Sequence, residues 1–173
     1  MGDDLSTERA DLLAALAKQR HFLRFTVRDL TDEQAGRRTT VSELCLGGLI
    51  KHVAAVERGW GDFILEGPSA MGAFSEMTEE DFQRRADQFR MLPGETLAAV
   101  LDEYAEVAAR TDELVAGLPD LNAAHPLPEA PWNPPGEQWS ARRVLVHIVA
   151  ETAQHAGHAD IIRESLDGAQ SMA

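Results

Sequence analysis

The strongest constraint on this chain is the recurrence of apolar residues at three- and four-residue spacing over four long segments, with no strict alternation to compete with it. The first segment spans about Ser6 to Leu30, and Leu12, Leu13, Leu16, Leu23, Val27 and Leu30 form its stripe. The second spans about Ser42 to Leu65, with Ser42 expected as N-cap and Gly67-Pro68 as the stop. Leu46, Leu49, Ile50, Val53, Val56, Trp60 and Ile64 line one of its sides. A variable connection follows, with a short helix expected around Thr78 to Arg90. The third segment runs from Pro93-Gly94-Glu95 to Gly117-Leu118-Pro119, the usual proline-start and glycine-end asymmetry. Its inner face carries Leu97, Val100, Leu101, Tyr104, Val107, Ala108, Thr111, Leu114 and Val115. Residues 119–135 hold six of the eight prolines and read as a long irregular loop. The fourth segment starts after Ser140, a good N-cap, and runs to about Leu166, where Asp167-Gly168 closes it. No strand is expected. The pattern predicts one all-α domain over residues 1–173, a four-helix bundle.

Charge narrows the function classes. The chain has 16 Lys plus Arg against 29 Asp plus Glu, a formal net charge of −13. Such a field repels duplex DNA and anionic membrane surfaces, and Arg37-Arg38, Arg84-Arg85 and Arg142-Arg143 are only scattered basic pairs. No apolar run approaches the ~18–20 residues that span a bilayer. The acidic start Met1-Gly2-Asp3-Asp4 does not suit a secretory signal, so a cytoplasmic location is expected. The single cysteine, Cys45, allows neither an intrachain disulfide nor a thiolate zinc cluster, and it reads as a buried thiol.

Polar residues on core-facing stripes are the informative anomaly, because burying them unpaired is costly. The inner line of the fourth helix reads Val144, Ile148, Glu151, His155, Ala159 and Ile162. On the helical wheel His147, His158, Glu151 and His155 fall at about 0°, 20°, 40° and 80°, one narrow face. A single ion cannot use all of them, because His147 and His158 are roughly 16 Å apart along the axis and metal–ligand bonds are only ~2 Å long. Glu151 and His155, one turn apart, are the natural pair. On the second helix His52 lies between Leu49 and Val56, with Gly48 leaving space beside it one turn earlier. Two histidines and one carboxylate would hold a divalent ion with a position open for water or substrate.

Each of these residues also has an ordinary reading: His52 as a satisfied core histidine, and Glu151 with His155 as a hydrogen-bonded helical pair. His158 is open as a third ligand in place of Glu151 or as a proton carrier, and His147 as an outer partner of the metal site. His21 reads as outward-facing and His125 as a solvated loop residue. Trp60 and Trp139 are candidates for a substrate-pocket wall, with Trp132 in the loop beyond them.

Three stretches then carry a resemblance: Gly47-Gly48-Leu49-Ile50-Lys51-His52-Val53-Ala54-Ala55-Val56-Glu57-Arg58, Trp139-Ser140, and Val146-His147-Ile148-Val149-Ala150-Glu151-Thr152-Ala153-Gln154-His155-Ala156-Gly157-His158-Ala159-Asp160. In their order and spacing the chain resembles the DinB/YfiT-like superfamily of metal-binding four-helix bundles, over nearly its whole length. The resemblance implies an up-down-down-up arrangement with a long connection between the second and third helices, and a metal held by His52, Glu151 and His155. Many members have His where this chain has Glu151. The Glu form is similar to the branch containing mycothiol-dependent maleylpyruvate isomerase and the mycothiol and bacillithiol S-transferases. The isomerase's larger second domain is not expected here. The expectation is one divalent ion, zinc or nickel first and iron or manganese after, with a low-molecular-weight thiol as cosubstrate and a small electrophile as substrate. His158 would carry the proton and His147 would support the site. A metal-dependent hydrolase and a non-catalytic helical binding or dimerisation module are the alternatives, and a homodimer is expected from pairing of exposed helix faces.

Overall fold

The computed structural model describes residues 6–171; the acidic start read above lies outside them. Among the described residues the chain is mostly helical, with six α-helices and one small antiparallel sheet. The helices are α1 (Thr7–Phe25), α2 (Asp32–Gly36), α3 (Leu46–Glu66), α4 (Glu79–Asp87), α5 (Leu97–Gly117) and α6 (Ala141–Asp167). The strands are β1 (Ala124–Pro126) and β2 (Gln138–Ser140). No described helix is long and apolar enough to cross a membrane.

The four long helices are the expected ones, with ends corrected by local chemistry. The first stops at Phe25 instead of Leu30, and the chain turns through Asp29, whose φ is 60°. The second begins at Leu46, with Cys45 rather than Ser42 as N-cap, because the Ser42 hydroxyl instead accepts the Leu44 N–H in a tight turn. The third begins at Leu97 behind Thr96, whose hydroxyl accepts from the Ala99 N–H. Its expected start lies in a turn in which Gly94 takes a φ of 88°. Ser140 caps α6 as expected through the Arg143 N–H, and Gly168 closes it in the left-handed conformation. The short helix is α4, opened by a reciprocal Thr78–Asp81 capping box.

Two features were not expected. The five-residue α2 carries its own Thr31–Gln34 capping box. The Pro-rich stretch is pinned by the β1–β2 pair, with His125 opposite Trp139. Strands of three residues are too short to leave an alternating pattern in the sequence.

The core has two halves. One gathers Leu23 of α1 and Val27 just after it, Leu49, Ile50 and Val53 of α3, Val100 and Tyr104 of α5, and Ala159 and Ile162 of α6. The other gathers Leu16, Phe63, Val115, Val144 and Ile148, from the opposite ends of the same helices. Between the halves, each helix contributes a buried polar side chain: Arg20, Glu57, Thr111 and Thr152. Arg20 donates from Nε to Glu57 Oε2 at 3.2 Å and from Nη1 to Asp112 Oδ1 at 2.8 Å. Burial opposes the Arg20 charge, but the carboxylates of Glu57 and Asp112 outweigh it and raise the guanidinium pKa.

Candidate metal centre

The centre is built by α3 and α6, which pack against each other along the core. One ligand atom each from His52, Glu151 and His155 lies within 4.8 Å of the other two. The imidazoles of His52 and His155 meet edge to face, with centroids 4.8 Å apart. His155 Nε2 is 3.8 Å from Glu151 Oε2. The three residues singled out from sequence are thus brought together across two helices, which an ordinary helical pair on α6 would not require.

The protonation chemistry suits a cation. Burial and the nearby His155 push the His52 pKa down to about 4, against the opposing influence of the Gln88 amide and the Glu151 carboxylate. His155 is also lowered, first by burial, with Glu151 opposing and His158 reinforcing. Both imidazoles are therefore neutral near neutral pH, the form that offers a lone pair to a metal. His52 Nδ1 is buried with no hydrogen-bond partner. Buried polar nitrogens are normally satisfied, so an orphan in a His₂-carboxylate cluster fits a site made for a divalent ion.

The surrounding residues divide by position. His158 Nδ1 lies 3.4 Å from His155 Nδ1, on the side of the ring away from Glu151. It stands behind His155 and outside the three-residue cluster. His147 Nε2 lies 4.0 Å from Glu151 Oε1, so Glu151 is flanked by one imidazole at each oxygen. Burial lowers the His147 pKa, Glu151 opposes that, and Arg143 adds to it. Trp60 and Trp139 stack at 4.9 Å and 13°, and each meets the His147 ring in a T-shaped arrangement, at 5.0 and 5.1 Å. The β1–β2 pair fixes Trp139 immediately before the α6 cap, which is how the Pro-rich loop reaches the centre. The Arg143 guanidinium lies 4.8 Å from the Trp139 ring centroid.

Other sequence candidates fall elsewhere. His21 is exposed and stacks on Phe25. His125 is half-buried rather than solvated: its Nε2 lies 3.2 Å from the Ile64 carbonyl, and it packs over Gly67 at the end of α3. Trp132 is 63% exposed and leans on Phe74. Cys45 is buried as expected. The space expected beside Gly48 is filled: a Cβ there would lie 2.1 Å from the Phe89 carbonyl oxygen. The Phe89 ring stacks on His52 at 4.0 Å, a contact that the sequence reading missed. It also missed Arg20 and Glu57, although each sits at helical spacing from stripe residues, Arg20 between Leu16 and Leu23 and Glu57 between Val53 and Ile64.

No curated protein matches the chain. A family model described as Mycothiol-S-transferase matches residues 11–168, a stretch that contains the whole His52–Glu151–His155 cluster, and the chain belongs to that family.

Proposed function

We propose that this chain is a metal-dependent S-transferase that joins a mycothiol-type thiol to a small electrophile, with His52, Glu151 and His155 as the metal ligands. The observation that carries the reading is the convergence of the three residues within 4.8 Å inside the stretch matched by the family. The scaffold is a single four-helix bundle in an up-down-down-up arrangement. The core supports this, since the end of α1 shares one half with the starts of α3 and α5 and the end of α6.

A divalent ion in this site supplies a Lewis acid that lowers the pKa of a thiol, so that a thiolate is available at neutral pH. The chain's own residues do the rest. His52 and His155 present neutral imidazoles, and Glu151 brings one negative charge that tempers the site. His158 sits against the outer nitrogen of His155 and fixes that ring, the arrangement usual behind a metal-bound histidine. His147, beside Glu151 and walled by Trp60 and Trp139, is placed to take the thiol proton. This assignment exchanges the roles that sequence reading gave to His147 and His158. The stacked indoles offer a flat apolar wall for the electrophile. In the transfer the thiol gives up its proton, its sulfur forms a bond to carbon, and the leaving group departs with the electron pair of the broken bond. No oxidant or reductant is needed.

The test is thiol consumption with mycothiol and chlorodinitrobenzene, with zinc, nickel, manganese or iron supplied in turn. Metal-dependent loss of thiol that vanishes in His155→Ala is expected. No consumption across a panel of electrophiles would contradict the transferase reading, and metal-dependent turnover of ester substrates without thiol would replace it with a hydrolase.

A further inference from the structure

His52 and His155 are held by different means. The outer nitrogen of His155 has His158 against it. His52 Nδ1 has no hydrogen-bond partner. The face of the His52 ring is covered by Phe89, stacked at 4.0 Å and 26°.

Phe89 lies in the connection from α4 to α5, and that connection is fastened to α3 at several points. Lys51, next to His52 and one of only two lysines in the chain, is partly buried, with its side chain 14% exposed. Its ammonium donates to the Asp87 carbonyl at 3.2 Å, the Arg90 carbonyl at 2.9 Å and both Glu95 carboxylate oxygens at 2.8 and 2.7 Å. Glu95 also accepts the Leu92 N–H at 2.7 Å, closing the segment on itself. The Cys45 thiol reaches the Phe89 carbonyl at 3.7 Å. Gly48 removes the side chain that would keep this backbone away, since its Cβ would meet the Phe89 carbonyl carbon at 2.2 Å and oxygen at 2.1 Å. A compact ammonium with several donors can gather carbonyl and carboxylate oxygens from different directions, as a planar guanidinium cannot.

We infer that residues 87–95 form a fixed strap that sets the orientation of the His52 imidazole for metal binding, with Phe89 as the positioning residue and Lys51 as its clamp. This rests on the metal-site reading above. The flat face of Phe89 is the feature that matters: it limits rotation of the His52 ring.

The experiment compares wild type with Phe89→Leu, Phe89→Tyr and Lys51→Met in two measurements. Zinc affinity is read by competition with a chromophoric chelator, beside the melting temperature of each metal-free protein. The His52 ring-proton resonances are read by NMR in the metal-free state, where stacking on Phe89 shifts them upfield. Phe89→Leu keeps an apolar side chain but loses the ring, and is expected to weaken zinc binding by roughly tenfold, the scale of losing an outer partner of a metal ligand. Phe89→Tyr restores the ring and should bind within about twofold of wild type on that same scale. Lys51→Met should weaken zinc binding like Phe89→Leu and also lose the upfield shift. Unchanged zinc affinity in Phe89→Leu would overturn the positioning role. A retained upfield shift in Lys51→Met would overturn the clamp. Should wild type take up no zinc while keeping the shift, the strap would exist without its metal purpose, and the metal-site reading itself would fail.

Discussion

The Arg20–Glu57–Asp112 cluster and the His52–Glu151–His155 cluster both interrupt an apolar core, and they are satisfied differently. In the first, the Arg20 guanidinium meets two carboxylates, and Glu57, fully buried, takes two of its N–H donors. The charges answer one another, and the cluster is closed. In the second, two neutral imidazoles and a carboxylate point their ligand atoms at a common centre, and one nitrogen has no partner. Burial alone therefore does not mark a functional site. Nor does an unpartnered polar atom by itself, since the buried Tyr104 hydroxyl also has none; what sets the second cluster apart is that its unpartnered nitrogen belongs to a residue converging with two other ligand-type side chains.

The contrast can be broken most forcefully at Glu57. Glu57→Ala would strand the buried Arg20 charge, and a loss of about 3–5 kcal/mol in unfolding free energy is expected. Denaturant titration measures it, and the folded fraction should still bind metal. A smaller loss would mean that the cluster is less closed than its geometry indicates. Next comes Glu151→Gln, which keeps the shape but removes a ligand charge. Metal affinity should fall by about 100-fold, at or beyond the top of the range seen for outer partners, whereas the melting temperature of the metal-free protein should barely move. Equal damage to both would merge the two clusters into one structural network.

Acidification sharpens the comparison further. His52 has an ordinary pKa of 6.5 and a folded value of about 4. Between these values the unfolded chain binds a proton that the folded chain does not, so the metal-free protein loses stability as pH falls from 6.5 towards about 4. His52→Gln should flatten that part of the melting-temperature profile, since it removes the titrating ring. A profile as steep as wild type would place the acid sensitivity elsewhere. The smallest effect belongs to His147→Ala. Metal stoichiometry should be unchanged and affinity lowered by about tenfold or less, but thiol consumption should fall more than metal binding does. If activity and affinity fell together, His147 would be a support of the site rather than a proton acceptor.

How much of this was legible beforehand depended on whether a residue broke a pattern. His52, Glu151 and His155 stood out because polar groups had replaced apolar ones on helical stripes, and wheel geometry put the α6 pair on one face. Arg20 and Glu57 sit on equally good core spacing, but long charged side chains on amphipathic helices usually belong to the solvent face, so nothing in their identity announced a buried pair. Phe89 left no trace at all. Its contact with His52 depends on the α4–α5 connection folding back onto α3, and Gly48, read as space beside His52, is where that backbone presses. Spacing alone put His147 and His158 on one face with Glu151 and His155, but their separate positions, one beside Glu151 and one behind His155, follow from side-chain directions that spacing does not encode.

The central claim is that His52, Glu151 and His155 hold one divalent ion. Elemental analysis of protein purified without a His-tag or chelator tests it most directly, on wild type, His52→Ala and His155→Ala. The account predicts close to one metal per chain in wild type and loss of that metal in both variants, each still folded. Wild type without metal, and without uptake of added zinc, nickel or iron, would contradict it.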